Sequence, residues 1–141
     1  MLSKRVLFIC EHNSARSQMA AAFLRKYGND DYEVDSAGLE PASLNPLAVE
    51  VMREIGIDIS GQEPQSVFNL FKLGKLYHVV ITVCQPAADK CPIFPGVSSR
   101  LHWPFDDPGG FSGTWEERLK ETRRVRDEIE TSIKKWILQN R

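Results

Sequence analysis

Cysteine is scarce in this sequence, with three among 141 residues, and the odd count excludes a disulfide-stapled secreted scaffold. Net charge is scarce as well. Eighteen Lys+Arg against nineteen Asp+Glu leave −1, too little field to hold a polyanion or an anionic surface, so neither nucleic acid nor membrane is expected as a partner. No hydrophobic run approaches the roughly 20 residues that cross a bilayer. The run from Val6 to Cys10 behind the basic start is too short for a signal-peptide core and reads as a buried strand. The expected compartment is therefore the cytoplasm, where thiols stay reduced unless chemistry oxidises them. Internal repeats, low-complexity tracts and linkers are lacking too. What is there, 42% hydrophobic and 26% charged residues, suits a soluble chain whose residues 1–141 form a single domain.

Hydrophobic periodicity orders the chain. Arg5 to Cys10 reads as a strand ending at a polar loop, and Ala15 to Tyr27 as a helix with Met19, Ala20, Phe23 and Tyr27 on its apolar side, closed by Gly28. Tyr32 to Ala37 alternates as a second strand. Asn45-Pro46 caps a helix through Ile55, and Ser66 to Lys72 reads as a short one. Tyr77 to Val83, β-branched and nearly all apolar, predicts a central strand covered on both faces, with Ser99 to Trp103 a shorter one. Thr114-Trp115-Glu116-Glu117 fits a capping box opening a long final helix whose Arg123–Ile129 charges suit a solvated face. Strands alternating with helices imply an α/β fold, a four-stranded mainly parallel sheet with helices on both faces. Such a sheet places the carboxyl ends of its strands on one rim, so Cys10, Cys84 and the Asp106-Asp107 loop are expected there together.

At the first strand end stands Cys10-Glu11-His12-Asn13-Ser14-Ala15-Arg16-Ser17, a C-x5-R-S loop between strand and helix. Backbone N–H groups of Glu11 through Ser17 can wrap one tetrahedral anion, with the helix N-terminus behind them. Arg16 can return its planar fork to two oxygens of that anion. The same positive surroundings favour thiolate at Cys10, with the Ser17 hydroxyl placed to donate to it. The competing interpretation is a small hydrophobic cysteine ending a core strand.

The segment CEHNSARSQMA resembles the nucleophile loop shared by low-molecular-weight protein tyrosine phosphatases and the thioredoxin-coupled arsenate reductases of the same fold. The resemblance runs on through DSAG at 35–38, NPLAVEVMREIGIDIS at 45–60, VVITVC at 79–84, CPIFPG at 91–96, HWPFDDP at 102–108 and RRVRDEI at 123–129. It implies Cys10 as nucleophile, Arg16 as oxyanion clamp, Asn13 as the residue holding the loop's shape, Ser17 as partner of the thiolate, and Asp107 before Pro108 as general acid.

Cys84 and Cys91 separate the two branches. A phosphatase of this kind has no use for a second thiol, whereas this spacing is similar to the redox pair of thioredoxin-coupled arsenate reductases. The resemblance then implies arsenate as substrate, or a phosphate-like oxyanion. Cys84 resolves the Cys10 adduct, Cys91 exports the disulfide, and thioredoxin or a similar dithiol protein reduces it, with no bound cofactor. Inert core thiols are the alternative for this pair. Zinc ligation with His78 or His102 is disfavoured because C-x6-C matches no common zinc spacing, so no metal is expected. A phosphatase and a non-catalytic oxyanion or redox sensor remain the rival functions.

The chain departs from the family pattern at several positions. Gly109-Gly110 follow the Asp-Pro pair where phosphatases commonly carry tyrosines, which argues against phosphotyrosine as main substrate. His12 replaces a common glycine and either adds positive charge at the pocket mouth or points into solvent. Ala15 replaces a cysteine outside the redox trio. Ala21 stands where some relatives hold potassium through a glutamate.

Overall fold

The structure, a computed structural model, describes residues 3–85, 97 and 99–140. Its strands are β1 (Lys4–Cys10), β2 (Tyr32–Gly38), β3 (Val79–Thr82) and β4 (Ser99–His102); its helices are α1 (Arg16–Gly28), α2 (Pro46–Arg53), α3 (Val67–Lys72) and α4 (Trp115–Gln139). The sheet order is β2-β1-β3-β4 and every described pairing is parallel, in agreement with the sequence pattern. Among the described residues, no helix is long and apolar enough to cross a membrane.

Both faces of β1 are covered, which is why its sequence is continuously apolar. Val6, Phe8 and Cys10 enter the larger core with Met19 and Phe23 of α1, Val51 and Met52 of α2, and Val125 and Ile129 of α4. Leu7 and Ile9, one step out of phase, face the smaller cluster of Val67 and Leu70 from α3 with Tyr77 and Val80. The chain leaves β1 for β2 on one side, then crosses back to β3 on the other. Strand order therefore reverses between β1 and β3, and the crevice of such a sheet opens at the carboxyl ends of those two strands. Ile9 stands opposite Thr82, and the ladder runs one bond further through Val83 N–H to the Ile9 carbonyl at 2.8 Å. Cys10 ends β1, and Cys84 follows the end of β3 after Val83.

Several boundaries move, each for a visible reason. β3 begins at Val79 rather than Tyr77, because the Tyr77 hydroxyl donates to Asp35 Oδ2 at 2.7 Å and His78 Nδ1 accepts the Arg5 N–H at 2.9 Å. Burial, then the Asp35 hydrogen bond, pushes the Tyr77 phenol well above its ordinary range. Helix α1 runs through Gly28, and the left-handed residue after it is Asn29, at φ 52°. Gly28 serves packing, since a Cβ there would overlap the Tyr32 ring. Arg126, expected on a solvated face, is buried, donating to the Val51 carbonyl at 2.9 Å and to Glu54 at 3.0 Å. A buried guanidinium must be paired, and this pairing stitches α4 to α2. Hydrogen bonding from Arg123 is the leading cause that holds the Glu54 carboxyl below its usual range.

The predicted capping box is present, with Thr114 Oγ1 accepting the Glu117 N–H at 3.1 Å and Glu117 Oε1 accepting the Thr114 N–H at 3.2 Å. Thr114→Ala removes the side-chain acceptor and is expected to cost about 1 kcal/mol, seen as a loss of about 2–5 °C in Tm by circular dichroism. An unchanged Tm would show that packing alone fixes the start of α4.

Candidate active site

The loop from Cys10 to Arg16 turns on Asn13, which lies fully buried at φ 51°, a left-handed conformation that asparagine adopts more readily than most residues. Outside the loop, chain 38–45 receives its carbonyls. Glu40 N–H donates to the Glu11 carbonyl at 2.8 Å, Ala42 N–H to that of His12 at 3.0 Å, and Asn45 N–H to that of Ser14 at 2.9 Å. The Asn13 carbonyl accepts from Gln18 Nε2 at 3.1 Å. With these carbonyls committed outward, the amides are left to the concave side, where Asn13 N–H donates to Cys10 Sγ at 3.1 Å. Ala15 gives α1 no side-chain cap, and a helix N-terminus of this kind favours an anion.

The sulfur of Cys10 is held by a directed chain. Asn13 Nδ2 donates to Ser17 Oγ at 2.7 Å, which leaves the Ser17 hydroxyl hydrogen to point at Cys10 Sγ, 2.9 Å away. Donors converging on sulfur in this way suit a nucleophile that carries negative charge. Arg16 is 2% exposed and lies across the pocket, with Nη1 3.3 Å from the Phe105 carbonyl and Nη2 3.5 Å from Asp107 Oδ2. These are long contacts for a guanidinium, and a tetrahedral anion in the loop offers shorter ones. Asp107 is partly exposed, and its Oδ1 accepts the Gly109 N–H at 2.9 Å. Asp107, remote in sequence, therefore shares one site with Cys10 and Arg16.

Cys84 is fully buried beside this site, with Sγ 3.7 Å from the Ile9 carbonyl and in the same core cluster as Cys10. Both carry reduced thiols. Cys91 lies outside the described residues. His12 is partly exposed, with Nδ1 2.9 Å from the Glu40 carbonyl oxygen and Nε2 3.9 Å from Glu11 Oε1. Among the described residues, Glu11, His12 and Glu40 bring possible metal-ligand atoms within 4.8 Å of one another.

Two positions escape a linear reading. A Cβ on Gly38 would lie 2.7 Å from Asn13 N, 2.8 Å from the Glu11 carbonyl oxygen and 2.9 Å from His12 C, so the end of β2 fits against the loop only as glycine. Gln65 holds the loop from behind: its N–H donates to Asn13 Oδ1 and its Nε2 to the Ser36 carbonyl, each at 2.9 Å. The one signal for Gly38 is a glycine closing a strand opposite the reactive one. Gln65 left none, because its partners lie 52 and 29 residues away.

The family model for low molecular weight phosphotyrosine protein phosphatase matches residues 5–140. The chain is 48% identical over 136 residues to an arsenate reductase of Shouchella clausii, covering 96% of each. A solved structure of an arsenate reductase in the phosphate binding state superposes with a TM-score of 0.81 at 34% identity, covering 96% of this chain and 98% of that one. A thioredoxin-dependent arsenate reductase of Corynebacterium glutamicum aligns with a TM-score of 0.61 at 34% identity, over 94% of this chain and 62% of that one.

Gly38→Ala places a methyl group against backbone that cannot swing aside and is expected to distort the loop. Inorganic phosphate titrated calorimetrically should bind about tenfold more weakly, which is about 1.4 kcal/mol. Affinity equal to that of the unmodified protein would show that the loop tolerates the displacement.

Proposed function

The chain belongs to the low molecular weight phosphotyrosine protein phosphatase family, and from that membership we propose that it is an arsenate reductase working by a thiol/disulfide relay. The observation carrying this reading is the second thiol. Cys84 lies two residues past the end of β3, the strand paired with the one that delivers Cys10 to the oxyanion loop, and phosphate ester hydrolysis gives it no work.

Arsenate enters the loop, where amides of residues 11–17 and the Arg16 fork take its oxygens. Cys10 attacks arsenic, forming a sulfur–arsenic bond, and Asp107 protonates the oxygen that leaves as water. Cys84 then attacks Cys10 Sγ. The sulfur–sulfur bond forms as the sulfur–arsenic bond breaks, its electron pair remains on arsenic, and arsenite departs. Two thiols have supplied the two electrons that take arsenic from the +5 to the +3 state. Cys91 attacks Cys84, which frees Cys10 and leaves a Cys84–Cys91 disulfide. A dithiol protein of the thioredoxin type reduces that disulfide, a partner supported by the thioredoxin-dependent relative. The reaction belongs in the reducing cytoplasm, where that electron supply is maintained.

A sulfur displacement needs the attacking thiol in line with the bond it breaks, so Cys84 must leave its contact with the Ile9 carbonyl before it reacts. Cys84→Ser should abolish arsenate turnover, by about a thousandfold or more, yet leave hydrolysis of an aryl phosphate at the unmodified protein's level. Cys10→Ser should remove both activities. Arsenate turnover that survives Cys84→Ser contradicts the relay.

A further inference from the structure

We propose that Asp106 is a positioning residue that holds the acid Asp107 over the pocket while Arg16 turns from the acid's loop to the anion. This rests on the reading of Asp107 as general acid.

The two adjacent carboxylates face different arginines. Asp107 faces Arg16 inside the pocket, whereas Asp106 Oδ2 accepts from Arg124 Nη2 of α4 at 2.9 Å. Arg16 reaches the acid's loop at the Phe105 carbonyl and at Asp107, at 3.3 and 3.5 Å. Anion capture redirects those same guanidinium donors to the ligand. The loop's hold through Arg16 is then withdrawn at the moment when the acid must be in place.

Asp106 supplies a hold that does not depend on Arg16. Besides Arg124, it accepts from Gln85 Nε2 at 3.1 Å through Oδ1, so both of its oxygens are engaged. Arg124 is itself oriented by Glu121 and Glu128, one turn to either side on α4, at 3.0 and 2.9 Å. The Asp106 hydrogen bond is the largest of the influences that raise the Arg124 guanidinium above its ordinary range. Gln85 directly follows Cys84, so one carboxylate registers the acid's chain against the chain of the resolving thiol. Arg124 is 40% and Asp106 50% exposed, and exposed pairs of this kind contribute little to stability. Their effect should fall on placement, where an ångström of drift in a catalytic group matters.

The test uses the full-length reduced protein and one turnover of arsenate, quenched at intervals, with the Cys10–Cys84 disulfide followed by mass spectrometry. Asp106→Asn and Arg124→Met should each slow its formation about tenfold, with Tm changed by no more than about 2 °C. Arg124→Lys, which keeps a charge for Asp106, should recover most of the rate. In an Asp107→Asn background, Asp106→Asn should add less than about a twofold effect, because Asp106 acts through the acid. Equal slowing in both backgrounds, or none in either, overturns the proposal. If Asp107→Asn itself reacts at the unmodified rate, the acid assignment fails and the positioning role fails with it. If Asp107→Asn is slow while Asp106→Asn is not, the positioning role alone is wrong.

Discussion

The buried side chain of Asn13 is where the architecture and the chemistry meet. Its amide nitrogen donates to Ser17, its Oδ1 accepts from Gln65 and Gln18, and its backbone N–H reaches Cys10 Sγ. A fully buried polar group is costly when any of its partners is missing and rigid when all are present. Satisfied here from α1, from the chain before α3 and from the loop itself, it fixes a left-handed turn and so fixes where the amides point. The left-handed turn, the outward carbonyls and the glycine at residue 38 belong to one packing solution.

Parallel pairing of β1 with β3 gives that loop a second thiol as neighbour. Cys84 needs no special turn of its own, because the register Ile9 to Thr82 carries it to the rim beside Cys10. Arg16 spans the remaining gap to the Phe105–Asp107 segment, so residues from the first helix and from beyond β4 act on one volume. In the proposed mechanism capture of the anion is local to one loop and one arginine rather than spread over the surface, which the near-neutral overall charge permits.

Much of the fold was legible because its signals are local. Strand β1 and helices α1, α2 and α4 follow from apolar spacing and capping residues, and Cys10, Arg16 and Ser17 from one contiguous motif. What escaped depends on contacts between distant segments. Gly28 reads as a helix stop but makes room for Tyr32, while Asn29 takes the left-handed turn. Tyr77 has a strand-like neighbourhood, yet its hydroxyl seeks Asp35. Arg126 reads as a solvated charge and Asp106 only as part of a rim loop, but each is committed to partners that packing supplies. Cys91, taken from the family pattern, lies outside the described residues.

The central claim is that arsenic is reduced by thiols of this chain, in a fixed order. The most direct measurement is a time course of the fully reduced protein with one equivalent of arsenate and no external reductant, following arsenite release and disulfide positions together. The relay predicts one arsenite per disulfide, with a Cys10–Cys84 bond appearing first and a Cys84–Cys91 bond replacing it. Arsenite released while all three thiols remain free would contradict it.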